Sequence, residues 1–196
     1  DLVTAWIQNA DWSGDFGGWA RSGSWGNMQW GQQTLEVWNA SNVVMKQTLT
    51  AVPDGNYKLT ADVISGNGDN KVAFVYGTGG ATVKSDAVTA EASAGNYDTM
   101  SAEVAGNTLT ADNIVVTGGV LTVGLDIAAG WIVADNFKLY YYGEDMSQYA
   151  QAYHDALTAA QAIDTTAPMN GDVLSALNTA LTTYASVDET NKATLL

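Results

Sequence analysis

From the N-terminus to about Gly143, short segments of alternating apolar and polar residues follow one another, separated by residues that form turns. In "NYKLTADVIS" (56–65) every second side chain is apolar, and "GGVLTVGLDIAAG" (118–130) alternates in the same way. Because successive side chains of a strand point to opposite faces, this period of two predicts strands with one buried face. The predicted buried residues are Tyr57, Leu59, Ala61 and Val63 in the first segment and Leu121, Val123, Leu125 and Ile127 in the second.

The turn residues predict how these strands connect. The segment "NVVMKQTLTA" (42–51) precedes the Pro-Asp-Gly turn of "VPDGNY" (52–57), which predicts a hairpin with the strand that follows. Further strands are predicted in "KVAFVYG" (71–77) and "TLTADNIVVTGG" (108–119). No helix of ordinary length interrupts the series, so a parallel α/β sheet is excluded. Roughly nine or ten short strands predict a mostly β fold, an antiparallel sandwich of two sheets.

The composition changes at residue 143, after which Gly and Trp nearly disappear and Ala becomes frequent. We therefore predict two domains, a β-sandwich at 1–143 and a helical region at 144–196. Ser186 and Glu189 have the spacing of a capping box. Two earlier apolar series recur at helical spacing and predict an α-helical hairpin or a truncated three-helix bundle. They are Tyr149, Tyr153, Leu157, Ala160, Ile163 and Val173, Leu174, Leu177, Leu181, Tyr184.

Charge and composition exclude several classes of partner. The formal net charge is −14, which repels phosphate backbones, so we expect no nucleic-acid partner. No apolar run is long enough for a membrane span, so we expect no membrane insertion. The absence of Cys excludes disulfides, thiolate metal sites and a cysteine nucleophile. Neutral ligands and cations remain.

Signals of catalysis are nearly absent. His154 is the only histidine, so neither a Ser-His-Asp triad nor a zinc site with several histidines can form. Gly-x-Ser-x-Gly and P-loop motifs are missing. A glycosidase needs two carboxylates, and Glu36, Asp62, Asp126 and Asp135 lie in or near strands, but no spacing marks a pair. We predict that the protein is not an enzyme.

An ordered set of motifs resembles a known family. "NADWSGDFGGW" (9–19) resembles the first strand and turn of carbohydrate-binding modules, and "QTLEVWN" (33–39) and "QTLTAVPDGNYKLTADV" (47–63) resemble their middle strands. "WIVADNFKLYYYG" (131–143) resembles their last strand. The resemblance implies the galactose-binding-like β-jelly roll, with Trp19 and Phe137 in the core. Trp6 and Trp12, on or beside the first strand, are expected to be buried as well.

The resemblance also implies a structural calcium ion. In the family, an acidic residue near the last strand often lies beside calcium, which implies Asp135 as a ligand with Asn9 or Asp11 close by. Calcium binds six to eight oxygen atoms. The sequence departs from the family pattern at Ser13, where many members carry an acidic ligand. The alternative is that Asp135 and Asn136 accept backbone hydrogen bonds at a bulge or turn.

Exposed aromatic residues are the candidates for glycan binding. Trp25 and Trp30 lie in "RSGSWGNMQWGQQ" (21–33), a Gly-, Ser- and Gln-rich segment with little strand character. Sugars stack their C–H faces on exposed indoles, while polar side chains bind their hydroxyls. The polar candidates nearby are Arg21, Asn27 and Gln29. Trp38, Tyr97 and Trp131 are further aromatic candidates, although alternation could turn Trp38 or Trp131 inward.

The function predicted from these features is non-catalytic binding of a neutral polysaccharide or other glycan. The module is expected to belong to a larger protein that is secreted or held on a bacterial cell surface, with neighbouring domains in the same polypeptide. The alternative is a structural spacer or protein-interaction module without affinity for sugar. Exposed aromatic residues gathered in one groove favour glycan binding, whereas a sheet face without them favours the spacer.

Overall fold

The computed structural model describes residues 1–66, 68, 71–143, 158, 162 and 171–184. The chain divides into two compact units, Asp1–Asp145 and Met146–Leu196. In the second unit, a helix spans Gly171–Tyr184, where the second apolar series predicted one. The series from Tyr149 to Ile163, together with His154, Ser186 and Glu189, lies outside the described residues apart from residues 158 and 162. Among the described residues, no helix has the length and apolar character needed to span a membrane.

The first unit is built from antiparallel strands, as predicted. The eight strands that its described residues form all pair antiparallel. One short helix, α1 (Tyr97–Glu103), begins where the side chain of Asn96 accepts a hydrogen bond from the Thr99 backbone N–H. The strands are β1 (Ala20–Ser24), β2 (Asn27–Gln29), β3 (Leu35–Thr50), β4 (Gly55–Ser65), β5 (Val72–Thr78), β6 (Thr82–Lys84), β7 (Thr108–Val116) and β8 (Val120–Tyr141).

Two long strands, β3 and β8, pass through both layers of the sandwich. Residues 41–50 of β3 and 120–129 of β8 pair with each other and with β1 and β5, and β6 extends β5; this is layer one. Residues 35–37 of β3 and 132–141 of β8 lie in layer two with β2, β4 and β7. The layers face each other, since residues of both belong to one hydrophobic core. At one side the Gly80 backbone N–H of layer one donates to the Val115 carbonyl of layer two.

The alternation of the sequence predicted the buried faces correctly, but it predicted one pairing wrongly. Tyr57, Leu59 and Leu121 are fully buried, as expected from the period of two. However, the strands on either side of the Pro-Asp-Gly turn do not form a hairpin, because β8 lies between β3 and β4 and pairs with both. Likewise, the segments 118–130 and 131–143 are not separate strands, since the continuous strand β8 runs through both.

The N-terminal segment packs beside the last strand but is not itself a strand. Asn9 and Trp12 have φ angles of 48° and 52°, which break an extended conformation, so the first strand begins only at Ala20. The Phe137 backbone N–H donates to the Ala10 carbonyl, which fixes this segment to β8. Trp12, Trp19 and Phe137 are buried together, as predicted. The prediction that Trp6 is buried is wrong, because its short 3-10 helix leaves the side chain 38% exposed.

Asparagines mark four bulges in the long strands. In each bulge, two residues of one strand lie opposite one residue of the neighbouring strand. One of these two residues is an asparagine with φ between 50° and 57°. Asparagine adopts this left-handed conformation more readily than other residues with a side chain. A bulge places consecutive side chains where regular alternation would not. The four are Asn39, Asn42, Asn113 and Asn136.

Candidate functional site

One cavity on the outer surface of the first unit is lined by two tryptophans from neighbouring strands. It lies where β3 and β8 pass between the layers, beside the connection from β4 to β5. Its volume is about 210 Å³. We call it the aromatic pocket, and its lining residues are Trp38, Asn39, Gly66, Gly68, Lys71, Gly130 and Trp131.

A bulge in β3 creates the pocket. Trp38 and Asn39 lie together opposite Trp131 of β8, between the pairs Val37–Ile132 and Ala40–Gly130. Consecutive residues of a regular strand would point to opposite faces. Here Trp38 and Asn39 are both exposed, and both line the pocket. Trp38 is 47% exposed, which is a large apolar surface to leave in water.

Two glycines of neighbouring segments let the indole rings lie close to the backbone. A Cβ atom on Gly26 would lie 2.6 Å from ring atoms of Trp38, and a Cβ atom on Gly66 would lie 2.9 Å from Cε3 of Trp131. Neither glycine has a positive φ, so space for the ring is what requires glycine here. Each indole therefore rests against a backbone that has no side chain beneath the ring.

A buried carboxylate holds the indole of Trp131 in place. Glu36 is only 3% exposed, and its Oε1 accepts a hydrogen bond of 2.7 Å from Nε1 of Trp131. Its Oε2 accepts another from Nε2 of Gln29 on β2. Both oxygens thus have partners, as a buried charge requires. The indole N–H is directed to Glu36, so the ring offers its face and edge to the pocket.

The opposite wall of the pocket carries an ion pair. Nζ of Lys71 pairs with Glu91, whose other oxygen accepts the Gly68 backbone N–H at 3.3 Å. The hydrogen bond from Lys71 lowers the pKa of Glu91, so this carboxylate remains ionised in neutral solution. Glu91 is also joined to the sheet by a backbone bridge with Ser65. Of this pair, Lys71 lines the pocket, and Glu91, outside the lining, balances its charge.

The α1 segment covers the outer face of layer two next to Trp131. Met100 and Val104 pack against Ile64 and Val133, whose side chains point away from the main core, and Trp131 packs against the same cluster. Tyr97, a predicted glycan contact, is the first residue of α1 and lies outside the pocket lining. Its hydroxyl donates to the Thr34 carbonyl at 3.0 Å, and burial raises its pKa.

The remaining predicted contacts lie around the pocket or away from it. Asn27 pairs with Trp38 across the strands, and Trp25, 38% exposed, occupies the turn between β1 and β2. Trp30, 41% exposed, contacts the ring of Phe16 instead, and the guanidinium of Arg21 lies 4.5 Å from that ring. Trp25 and Trp30 are thus exposed, as their sequence setting predicted. The structure does not bring Trp30 and Arg21 to the aromatic pocket.

The predicted calcium ligands lie near one another but do not assemble a full set. Asp11 lies close enough to Asp135 for its charge to raise the pKa of that carboxyl. The side chain of Asn9 has other partners, because its amide N–H groups donate to Asp15 and to the Gly17 carbonyl. Among the described residues, no three Asp, Glu or His side chains group as metal ligands. Two carboxylates fall short of the oxygen atoms that calcium prefers. Calcium binding therefore stays a prediction, and the structure shows the bulge that was its alternative.

At the bulge of β8 beside Asp135, the Asp135 carboxylate accepts the Asn136 backbone N–H at 2.6 Å. The side-chain amide of Asn136 donates to Asp62. Burial, with the neighbouring charges of Asp62 and Asp11, raises the pKa of Asp135 to about 6. The same arrangement recurs in β7, where Asp112 accepts the N–H of Asn113. Both sites read Ala-Asp-Asn in the sequence, at 111–113 and 134–136.

Sequence reasoning missed several residues of the pocket. Glu36 was considered only as a possible catalytic acid, and Lys71, Glu91, Gly26 and Gly66 were not considered. Their positions come from strands far apart in the chain, so local patterns do not reveal them. One usable signal was Asn39, because asparagine is depleted in strands and adopts the left-handed conformation readily, which suits a bulge.

No family model matches the chain, and neither does any curated protein. Among solved structures, TmCBM61 in complex with β-1,4-galactotriose is similar at 14% identity, with 70% of this chain and 98% of that chain covered and a TM-score of 0.49. A CBM4 structure has 10% identity, covers 69% and 99%, and has a TM-score of 0.45.

A third similar structure contains the CBM22-1 and GH10 modules of a Clostridium thermocellum xylanase complexed with xylohexaose. It has 15% identity, covers 66% of this chain and 27% of that chain, and has a TM-score of 0.41. The first two of these structures are carbohydrate-binding modules, and the third contains one.

Proposed function

We propose that this protein is a non-catalytic glycan-binding module of a larger exported protein, and that a neutral glycan binds in the aromatic pocket. The observation that carries the proposal is the exposed indole of Trp38, placed beside Trp131 in a cavity with polar walls. An apolar platform with a few fixed polar groups is the usual form of a small-molecule site. The C–H faces of a sugar ring stack on an indole, and its hydroxyls bind Asn39 and Lys71, which line the pocket.

Charge favours a neutral ligand. The chain carries a formal net charge of −14, so a strongly anionic polysaccharide is repelled at long range. Within the pocket, the charge of Lys71 is balanced by that of Glu91. A sugar hydroxyl can accept a hydrogen bond from the Lys71 ammonium without disturbing this balance.

The pocket is suited to binding rather than to glycoside hydrolysis. A glycosidase uses two carboxyl groups that flank the bond to be cleaved. Of the carboxylates described above, Glu36 is buried beneath the pocket with both oxygens hydrogen-bonded, and Glu91 is paired with Lys71. Neither is placed as a free acid or nucleophile toward a bound sugar.

The test is a glycan-array screen of the purified chain, followed by titration calorimetry with the glycans that bind. β-1,4-Galactotriose and xylohexaose, the ligands of two similar structures, are the first probes. We expect Trp38→Ala to weaken binding roughly thirty-fold, since an aromatic contact at the centre of a site typically contributes about 2 kcal/mol. Trp6→Ala is the matched control, because Trp6 is comparably exposed but lies outside the pocket.

The outcomes separate the two classes of function. Loss of affinity in Trp38→Ala but not in Trp6→Ala, with unchanged circular dichroism, supports the proposal. A wild-type chain that binds nothing on a broad array contradicts it and favours the structural spacer or protein-interaction module. Equal affinity of Trp38→Ala and wild type would show that the glycan binds outside the aromatic pocket.

A further inference from the structure

We infer that the negative charge of Glu36, and not only its position, strengthens glycan binding by raising the electron density of the Trp131 indole in the aromatic pocket. This role of Glu36 rests on the proposed function and adds a residue that sets affinity without touching the glycan. Three features of the carboxylate support it: it is buried without a cation beside it, a neutral side chain can make the same hydrogen bonds, and one of its two partners is a ring that lines the pocket.

The charge of Glu36 has only neutral groups as hydrogen-bond partners. Its two oxygens accept from Nε1 of Trp131 and from Nε2 of Gln29, and the residue is 3% exposed. Among the described residues, no ion pair includes Glu36. Burying a carboxylate without a cationic partner costs free energy of folding. A glutamate at this position therefore needs a reason other than stability.

The hydrogen bonds of Glu36 do not by themselves require a charge. Glutamate and glutamine side chains have nearly the same shape, so Glu36→Gln can still offer a carbonyl oxygen to the Trp131 N–H. Its new amide group faces Gln29, whose own amide can turn over and present an oxygen as the acceptor. Both hydrogen bonds are then kept without a buried charge. What glutamate adds over glutamine is therefore electrostatic rather than geometric.

The hydrogen bond to Trp131 connects this charge with the pocket. Nε1 of Trp131 lies 2.7 Å from Oε1 of Glu36, which is a short distance for an N–H···O bond and is typical of a charged acceptor. In the low dielectric of a protein, hydrogen-bonded groups polarise one another. A carboxylate that accepts the indole N–H therefore shifts electron density into the ring, whose faces are already negative. Trp131 lines the pocket, so a ligand there meets this more negative ring.

A sugar is a ligand that responds to the electron density of the ring. Each ring carbon of a pyranose is bonded to an electronegative oxygen, so its C–H hydrogens carry partial positive charge. These hydrogens are attracted to the negative face of an aromatic ring, and a more negative face attracts them more strongly. Lys71 does not cancel this attraction, because its charge is balanced by Glu91.

Asp62 provides a matched carboxylate that lacks the connection to the pocket. It lies on the outer face of layer two, between core residues 61 and 63, and is 5% exposed. It too accepts two hydrogen bonds from neutral groups, the Thr108 hydroxyl at 2.6 Å and the Asn136 amide at 3.0 Å. Neither partner lines the aromatic pocket. Asp62→Asn therefore neutralises a buried carboxylate of the same kind without changing an indole.

The experiment is calorimetric titration of wild type, Glu36→Gln and Asp62→Asn with a glycan selected on the array. We expect Glu36→Gln to bind about five-fold more weakly than wild type, and Asp62→Asn to bind equally well. The urea midpoint of Glu36→Gln should equal or exceed that of wild type, because a buried charge is removed and the hydrogen bonds are kept. Unchanged affinity of Glu36→Gln would overturn the inference while leaving the proposed function intact. A weaker affinity together with a clearly lower midpoint would also overturn it, because a disturbed structure would then explain the loss.

A double-mutant cycle with Trp131→Phe provides the second readout. Phenylalanine keeps an aromatic ring but has no N–H, so Glu36→Gln should cause no further loss of affinity in the Trp131→Phe background. The same five-fold loss in both backgrounds would overturn the inference, since the charge would then act without the indole. If no glycan binds to the wild type, the proposed function fails, and the role of Glu36 in binding fails with it.

Discussion

Single residues set the geometry of the aromatic pocket more than composition does. Trp38 and Trp131 provide the apolar surface, but their positions depend on residues that contribute no contact area themselves. Gly26 and Gly66 leave room for the indoles, and Glu36 fixes the orientation of Trp131 through its N–H. The shape of the pocket is therefore sensitive to changes beneath the indoles as well as to loss of the indoles.

Replacing either glycine by alanine should therefore disturb binding while retaining both tryptophans. In Gly26→Ala or Gly66→Ala, the new Cβ atom would lie closer than 3.0 Å to the ring of Trp38 or Trp131, so that ring must move. We expect at least about a ten-fold loss of glycan affinity in both variants. The stability change should be below roughly 1 kcal/mol in Gly26→Ala, where the Trp38 ring is exposed, and larger in Gly66→Ala, where the Trp131 ring is packed and hydrogen-bonded. Calorimetry and urea denaturation measure the two quantities.

Gly80→Ala is the control for these variants. A Cβ atom on Gly80 would meet nothing within 4 Å, and Gly80 does not have a positive φ. Its affinity should equal that of the wild type. Unchanged affinity in Gly26→Ala and Gly66→Ala as well would show that the ring positions do not matter for binding.

Asp135 should make stability depend on pH in a predictable direction. Its pKa in the folded protein, about 6, is raised above the ordinary value of 3.8, so folding favours the protonated carboxyl. Its contribution to stability is therefore fully present below about pH 4 and is lost as the pH rises through about 6. Because Asp135 is only half-buried, solvent screening reduces the effect to about 1 kcal/mol.

The measurement is urea denaturation of wild type and Asp135→Asn with a chelator present. The stability of Asp135→Asn relative to wild type should rise by about 1 kcal/mol between about pH 4 and about pH 7. Asp112→Asn is the control, because Asp112 makes the same hydrogen bond to the N–H of the next asparagine, in an Ala-Asp-Asn sequence of β7, but is exposed. The same pH dependence in both variants would contradict the role assigned to burial.

At the scale of elements, the long strands β3 and β8 and their bulges build the site. The bulge at Trp38 and Asn39 lies where β3 passes from one layer to the other, and α1 covers the neighbouring face. No single strand contains the pocket. It exists because β8 lies between β3 and β4 and brings Trp131 opposite the bulge and beside Gly66.

Asn39 offers a test of this bulge. Its φ of 52° is accessible to glycine but strained for a β-branched residue. Asn39→Gly and Asn39→Val both remove the amide, so the difference between them isolates the backbone. We expect Asn39→Val to be less stable than Asn39→Gly by about 1–2 kcal/mol and to bind glycan more weakly. Equal stability of the two variants in urea denaturation would contradict the bulge.

The sequence predicted the local features of these elements and not their partners. The buried faces at Tyr57–Val63 and Leu121–Ile127 were predictable, because a period of two depends only on neighbours in the chain. The insertion of β8 between β3 and β4 was not, since the packing of distant segments decides it. The sequence also indicated Trp38 and Trp131 as candidate contacts. It did not predict the bulge that turns Trp38 outward or the wall at Lys71, because both depend on segments that are distant in the chain.

At the scale of the whole first unit, the core explains why most aromatic residues are unavailable to ligand. Trp12, Trp19 and Phe137 join the N-terminal segment to β8 inside the sandwich. The exposed tryptophans are Trp6, Trp25, Trp30 and Trp38, and of these only Trp38 lines the aromatic pocket. Exposure alone thus does not distinguish Trp38 from the other three, whereas its position beside Trp131 in the pocket does.

A bound calcium ion would stabilise the entire fold of the first unit. If Asp135 and Asp11 hold calcium, the ion at ten times its Kd adds about 1.4 kcal/mol, or a Tm increase of roughly 3–6 °C for a domain of this size. The increase should disappear in Asp135→Asn. A wild-type Tm that is the same in calcium and in chelator would remove calcium from the account.

The most direct test of the central claim is to observe the seven indole N–H signals by ¹⁵N-edited NMR while β-1,4-galactotriose, xylohexaose or an array-selected glycan is added. Single Trp→Phe variants assign the signals. Binding in the aromatic pocket predicts that the signals of Trp38 and Trp131 shift with the added glycan, while those of Trp6, Trp12 and Trp19 stay in place. Shifts confined to Trp30 or Trp6, or no shift with any of these glycans, would contradict it.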